Sequence, residues 1–193
     1  MKNHLIIIAG LPATGKQTAA IKLAKNLSEY VFIDQNELRR EKGMRKMPQK
    51  QDNINRQIDR LTAEYLKKNE GVIILGGHRQ VCRRNQLYGV ASCCGRNAII
   101  LECICSEEES KNRMRKRPLS DGLLSKPNDP RVYDRIFPLW EDINNDFRFP
   151  GQDFVSFLTY NSEKNIVEKH KITLGMGKLI NKIEKIILRN YSI

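Results

Sequence analysis

The run Leu5-Ile6-Ile7-Ile8-Ala9 leads directly into Gly10-Leu11-Pro12-Ala13-Thr14-Gly15-Lys16-Gln17-Thr18, and Ala20, Leu23, Ala24 and Leu27 then recur at helical spacing. A short apolar strand, a loop bracketed by glycines and closed by a lysine, and an amphipathic helix in that order constrain this chain more than any other stretch. The glycines let backbone N–H groups turn inward. The helix that starts immediately afterwards adds the positive end of its dipole. The result is a cradle for phosphates, lined by Gly10, Ala13, Thr14, Gly15, Lys16, Gln17 and Thr18, with Lys16 spanning the outer phosphates.

The same alternation continues along the chain. Strands are expected at 5–9, 31–34, 72–75, 98–104 and 154–160, separated by helical patterns. The first helix should cover about 15–27. A second long helix carries Ile54, Ile58, Leu61 and Tyr65 on one stripe, with Gly71 as its stop. Further helices are expected at 79–92, 107–117, 131–145 (perturbed by Pro138) and 177–189, while 118–130, with three prolines, reads as a loop. Strands alternating with helices imply an α/β fold: a doubly wound parallel sheet of about five strands. With 193 residues and no interdomain linker, a single domain over 1–193 is expected.

Composition removes several classes of function. No apolar run approaches the length of a membrane span, and 5–8 is too short for a signal-peptide core, so a cytoplasmic protein without stable membrane association is expected. The five cysteines, Cys82, Cys93, Cys94, Cys103 and Cys105, include no CxxC pair and are odd in number, which argues against a disulfide framework or a zinc site. The formal net charge is +12, and it is clustered. Six basic residues and one acid lie between positions 39 and 50, and five basic residues with no acid between 111 and 117. Clusters of that kind favour polyanionic partners.

Beyond the phosphate loop the chain resembles the polynucleotide-kinase-like group of P-loop kinases, the AAA_33 kinases, which includes the kinase domain of phage-type polynucleotide 5′-kinase. The resemblance runs from about 5 to 143. It rests on Asp34-Gln35-Asn36-Glu37-Leu38-Arg39 after the second strand and on Arg83-Arg84 in the helix after the third. Glu107-Glu108-Glu109 with Arg113 and Arg117 follow the fourth strand, and Trp140-Glu141 comes after Tyr133. The resemblance implies an ATP-dependent phosphotransferase with Mg²⁺, and a Gly-Lys-x-Thr reading of the loop makes Thr18 the Mg²⁺ ligand. It implies an arginine-bearing lid over about 107–130, in which Arg113 and Arg117, four apart, share a helical face over the triphosphate while Arg115 points away. Catalytic roles then fall on Lys16, Asp34, Arg113 and Arg117. Substrate contacts fall on Asp34, Glu37, Arg39, Arg83 and Arg84.

Two departures from that pattern matter. The aspartate expected three residues before the arginine is Asn36, which has no basic oxygen to take a proton. Asp34 faces the same way in an extended segment and replaces it, or else caps the next helix. Glu37 paired with Arg40 is the other candidate. After the third strand, Gly76-Gly77-His78-Arg79 stands where such kinases carry an aspartate; His78 reads as a substrate contact or a structural hydrogen-bonder. The acceptor implied first is the 5′-hydroxyl of RNA or DNA. The alternatives are a sugar, nucleoside or antibiotic hydroxyl, or a module that holds ATP without transfer. The basic stripe Lys178, Lys182, Lys185 and Arg189 either follows phosphates or faces water above a helix docked through its apolar side.

Overall fold

The computed structural model describes residues 3–41, 51–118, 128–147 and 151–189. Six strands form one sheet: β1 (Leu5–Ala9), β2 (Tyr30–Asp34), β3 (Gly71–Leu75), β4 (Ala98–Ile104), β5 (Val155–Asn161) and β6 (Ile166–Lys171). Their order is β2-β3-β1-β4-β5-β6, parallel except for the antiparallel β6. β1 and β3 are buried at every position, as central strands of a parallel sheet covered on both faces must be.

Two helical layers cover the sheet. Helices α1 (Lys16–Asn26) and α7 (Gly177–Leu188) close one face over Ile6, Ile8, Leu101 and Leu158. On the other face, α3 (Gln51–Lys67) and α4 (Val81–Cys93) pack over Leu5, Ile7, Val72 and Ile100. Shorter helices α2 (Gln35–Glu41), α5 (Glu107–Arg115) and α6 (Arg131–Ile136) lie near the carboxyl ends of the strands. The registers Asp34↔Leu75, Ile8↔Leu75 and Ala9↔Glu102 bring those ends level. Ligands of open α/β sheets bind along such an edge.

Several expectations are corrected. β6 was not anticipated because its sequence is Ile-Val-Glu-Lys-His-Lys and most of it is exposed; a charged edge strand carries no alternating apolar signal. Gly71 does not stop a helix. α3 ends at Lys67, Asn69 takes the left-handed conformation, and Gly71 opens β3. A Cβ on Gly71 would stand 2.4 Å from the Tyr30 ring, so packing requires the glycine. The helix expected over 131–145 breaks at Pro138 into α6 and two 3₁₀ turns, Phe137–Leu139 and Ile143–Phe147. α7 buries Ile180, Ile183, Ile186 and Ile187, and Lys22 Nζ donates to the Ile187 and Arg189 carbonyls at its end. Lys178, Lys182, Lys185 and Arg189 lie on its exposed side.

Among the described residues Arg84 is the one cation with 0% exposure. Its Nε and Nη2 donate to Asp146 at 2.7 Å each, and Tyr88 donates its hydroxyl to the same carboxylate at 2.8 Å. Removing one member of a buried pair leaves the other charge uncompensated. Asp146→Ala should therefore lower stability by roughly 3–5 kcal/mol. Asp59→Ala, which removes the part-exposed partner of Arg83, should cost about 1 kcal/mol. Equal losses for the two variants in denaturant unfolding would show that Arg84 does not hold the core.

Candidate functional site

The loop of residues 10–18 leaves the carboxyl end of β1 and turns into α1 at Gly15, whose φ of +89° only glycine adopts freely. Gly15 caps α1 without a side-chain hydrogen bond, and the first turn contains no acid. The leading N–H groups of α1 therefore have no internal neutraliser, which suits a bound anion. Gly10 is fixed by close approach: a Cβ there would stand 2.3 Å from the Cys103 carbonyl oxygen of β4. Thr14 is buried and donates its hydroxyl to the Leu11 carbonyl at 2.9 Å. Lys16 Nζ donates to the same carbonyl at 2.5 Å, so the lysine folds back over the loop. Burial holds its ammonium down at about 8, with Arg117 adding repulsion.

Gln17 and Thr18 are exposed in the first turn of α1. Among the described residues no group of three or more His, Cys, Asp or Glu is placed to hold a metal ion. The Thr18 hydroxyl with nucleotide phosphates and water fits Mg²⁺, which keeps several waters and takes few protein ligands.

Helix α5 grips the outside of the loop. Ser110 donates to the Pro12 carbonyl at 2.6 Å, and Met114 packs with Ala13 and Tyr133. Arg113 donates to Glu109 at 2.6 Å, to Ser162 Oγ at 2.7 Å and to the Ala13 carbonyl at 3.4 Å. Arg113 is thus a strut between the loop and the β5–β6 turn. α5 ends at Arg115, so Arg117 lies past it in a turn instead of stacking one helical turn above Arg113. Arg115 and Arg117 are both exposed. Residues 119–127 of the expected lid lie outside the described part. Ser162 and Ser110 were not foreseen, since a turn serine and a helix serine carry no motif.

Opposite the loop, Asp34 is buried at the end of β2 and its Oδ1 accepts the Asn36 N–H at 2.7 Å. It caps α2 while keeping its second oxygen. Glu37 and Arg40 are exposed on α2. Arg39 is half-buried, donates to Asn36 Oδ1 at 3.1 Å and to Gln51, and has its pKa lowered by burial and then by the Arg79 charge. The Asp34 carboxylate opposes that repulsion. Among the described residues Arg79 has no side-chain partner. Residues 42–50 of the basic cluster lie outside the described part.

Arg83 and Arg84 are placed differently from the expected substrate contacts. Arg83 is paired with Asp59 at 2.8 Å. Arg84 is engaged by Asp146 and by the carbonyls of His78, Glu141 and Asp142. The terminal nitrogens of both guanidiniums bond to protein because α4 turns the two side chains inward, while Arg83 Nε is buried without a partner.

His78 was assigned little weight from the sequence, and the structure singles it out. It has a φ of +44°, is 5% exposed, and neither ring nitrogen has a partner. A non-glycine residue at positive φ costs on the order of 1–3 kcal/mol, as does each buried polar atom left unpaired. Glu102, at the end of β4, is a second unforeseen group. Burial, with Asp142 beside it, raises its carboxyl to about 7.

A mostly parallel α/β sheet with a glycine-bracketed phosphate loop between its central strand and the following helix defines the P-loop nucleotide-binding fold. The AAA_33 family, described as an AAA domain, matches residues 5–131, and this chain belongs to it. No curated protein sequence matches the chain. Among solved structures it is similar to Kti12 of Chaetomium thermophilum in complex with ADP-AlF3, at 20% identity and a TM-score of 0.60 over 81% of this chain and 89% of that one. A sugar kinase from Janibacter sp. HTCC2649 aligns at 14% identity and a TM-score of 0.58, covering 81% and 85%. A gluconokinase from Sinorhizobium meliloti 1021 aligns at 15% and 0.55, covering 95% and 91%. At these identities the likeness is one of fold.

Two pH effects follow. Phosphates stabilise the Lys16 ammonium, so affinity for Mg·ATP should be flat below about 8 and fall by up to about tenfold per pH unit above it. Lys16→Ala should bind more weakly and lose that dependence; unchanged affinity in the folded variant would sink the loop assignment. For Glu102 the folded state favours the proton. That contribution is complete below its ordinary 4.5 and is lost as pH rises through about 7. Wild type should therefore lose melting temperature relative to Glu102→Gln between about pH 5 and pH 8, and a constant gap would show that Glu102 titrates normally.

Proposed function

We propose that the protein is an ATP-dependent phosphotransferase that moves the γ-phosphate to an acceptor hydroxyl. The observation that carries this reading is the uncapped start of α1, with Lys16 folded over the loop, set across one sheet edge from the buried carboxylate of Asp34. The first turn of α1 and Lys16 meet the phosphates. The Thr18 hydroxyl serves Mg²⁺, whose charge neutralises the β- and γ-oxygens when it is bound. Arg117, whose charge already reaches Lys16, and Arg113 stand on the lid side. Phosphoryl transfer asks mainly for positioning and charge neutralisation, so one carboxylate oxygen on Asp34 suffices to take the acceptor proton. The kinases among the structural neighbours support this reading of the fold.

On the acceptor side, Arg39 and Arg79 call for an anion near the hydroxyl. A 5′-hydroxyl end of RNA or DNA, with its first phosphates on these two arginines, fits this and the net charge of +12. The sequestration of Arg83 and Arg84 makes the footprint small, which favours a few nucleotides over a long duplex and leaves a small anionic alcohol as the rival acceptor.

The test is transfer of labelled γ-phosphate from Mg·ATP to a 5′-hydroxyl oligonucleotide, to D-gluconate and to a nucleoside. Oligonucleotide affinity at saturating non-hydrolysable nucleotide is then followed against salt. Two phosphates of a single strand give a log–log slope of about −1.4. Arg39→Ala and Arg79→Ala should each reduce it by about half. No oligonucleotide binding at low salt would defeat the polynucleotide acceptor. No transfer to any of the three, in a protein that binds nucleotide, would leave a nucleotide-holding module.

A further inference from the structure

The segment after β3 is shaped around one ring. A Cβ on Gly76 would lie 2.5 Å from His78 Nε2 and 2.8 Å from Gln35 Oε1, so the glycine clears the space that the imidazole fills. The Gly76 N–H donates to the Ile8 carbonyl and the Gly10 N–H to that of Gly77, which binds this segment to the root of the phosphate loop. Arg84 donates to the His78 carbonyl at 3.0 Å and holds the residue in its left-handed conformation. The ring is thus fixed in place, yet Nδ1 and Nε2 are both without a partner. Native interiors satisfy such atoms or keep them for a purpose.

The surroundings indicate what the ring can meet. The charges acting on it are Arg83, Arg84, Lys16 and Arg39, all cationic. Burial and these cations hold its pKa down at about 3, so the ring is neutral, with one N–H and one free lone pair. A neutral ring that feels the charges of both Lys16 and Arg39 matches a group that both donates and accepts. An alcohol is such a group.

We propose that His78 binds the hydroxyl that accepts the phosphoryl group, donating its ring N–H to the hydroxyl oxygen, whose own proton is left to Asp34, and so selecting which acceptors are phosphorylated. This rests on the phosphotransfer reading. The ring orients the hydroxyl oxygen toward the γ-phosphate and is not the base. Proton removal stays with Asp34.

The experiment compares wild type with His78→Phe, which keeps a ring but no nitrogen. His78→Asn, which tolerates positive φ and keeps a polar group, is the second variant. Melting temperature, affinity for Mg·AMP-PNP, and kcat and KM are measured for whichever of a 5′-hydroxyl oligonucleotide, D-gluconate or a nucleoside wild type phosphorylates. His78→Phe should melt at the wild-type temperature or above and bind Mg·AMP-PNP within twofold. Its kcat/KM for the acceptor should fall at least tenfold, with His78→Asn between the two. In ¹⁵N-histidine spectra the His78 ring should shift when the acceptor is added to the Mg·AMP-PNP complex. If His78→Phe does not fold, the Asn variant and the ring spectrum decide. An acceptor kcat/KM within twofold of wild type overturns the assignment, as does a ring indifferent to acceptor, which would mark a structural histidine. Failure of wild type to phosphorylate any of the three would instead remove the phosphotransfer reading, and this assignment with it.

Discussion

The buried guanidinium of Arg84 ties together parts of the chain that are far apart in sequence. It joins α4 to the carbonyl after β3, to two carbonyls before the second 3₁₀ turn, and to Asp146 within it. It also lies over the face of the Trp140 ring, 5.7 Å from ring centroid to guanidinium carbon. A charge in the core is tolerable only when every donor is matched, and here the partners are backbone and a carboxylate that also accepts from Tyr88. The geometry of the acceptor side follows from this network. His78 is held by its carbonyl, the Glu141 N–H reaches the Arg79 carbonyl, and Glu141 Oε2 accepts the Val81 N–H at the start of α4.

The two sides of the site have different electrostatic origins. On the phosphate side the positive potential comes from peptide dipoles and one lysine, with α5 clamped behind the loop by Ser110, Arg113 and Met114. On the acceptor side it comes from guanidiniums crowded together, with Asp34 among them. Lys16 and Arg117 repel one another on the first side and Arg39 and Arg79 on the second, and a bound anion would relieve either repulsion.

The sheet and its phosphate loop were legible in the sequence because they depend on local rules. Continuous apolar runs such as Leu5–Ala9 have few alternatives to a buried parallel strand, and glycines flanking a loop before a helix have few alternatives to a phosphate cradle. Side-chain roles were less legible because they depend on which way a helix is turned. Arg83 and Arg84 are adjacent to the site in sequence, but α4 presents them to Asp59 and Asp146, acids from remote segments. Gly71 looked like a stop signal, although the Tyr30 ring across the sheet is what excludes a side chain there. β6 was missed because an exposed lysine-rich edge resembles a loop in composition. His78 and Glu102 are ordinary in sequence; only burial makes them unusual.

The bond from Lys16 to the Leu11 carbonyl has a consequence for how the protein behaves in solution. The partner that this ammonium uses is a neutral carbonyl of its own loop. Any small oxyanion that enters the mouth of α1 offers that ammonium a better partner. On the phosphotransferase reading, inorganic phosphate, sulfate and pyrophosphate would compete with nucleotide for that ammonium, so apparent nucleotide affinity would depend on the anion content of the medium.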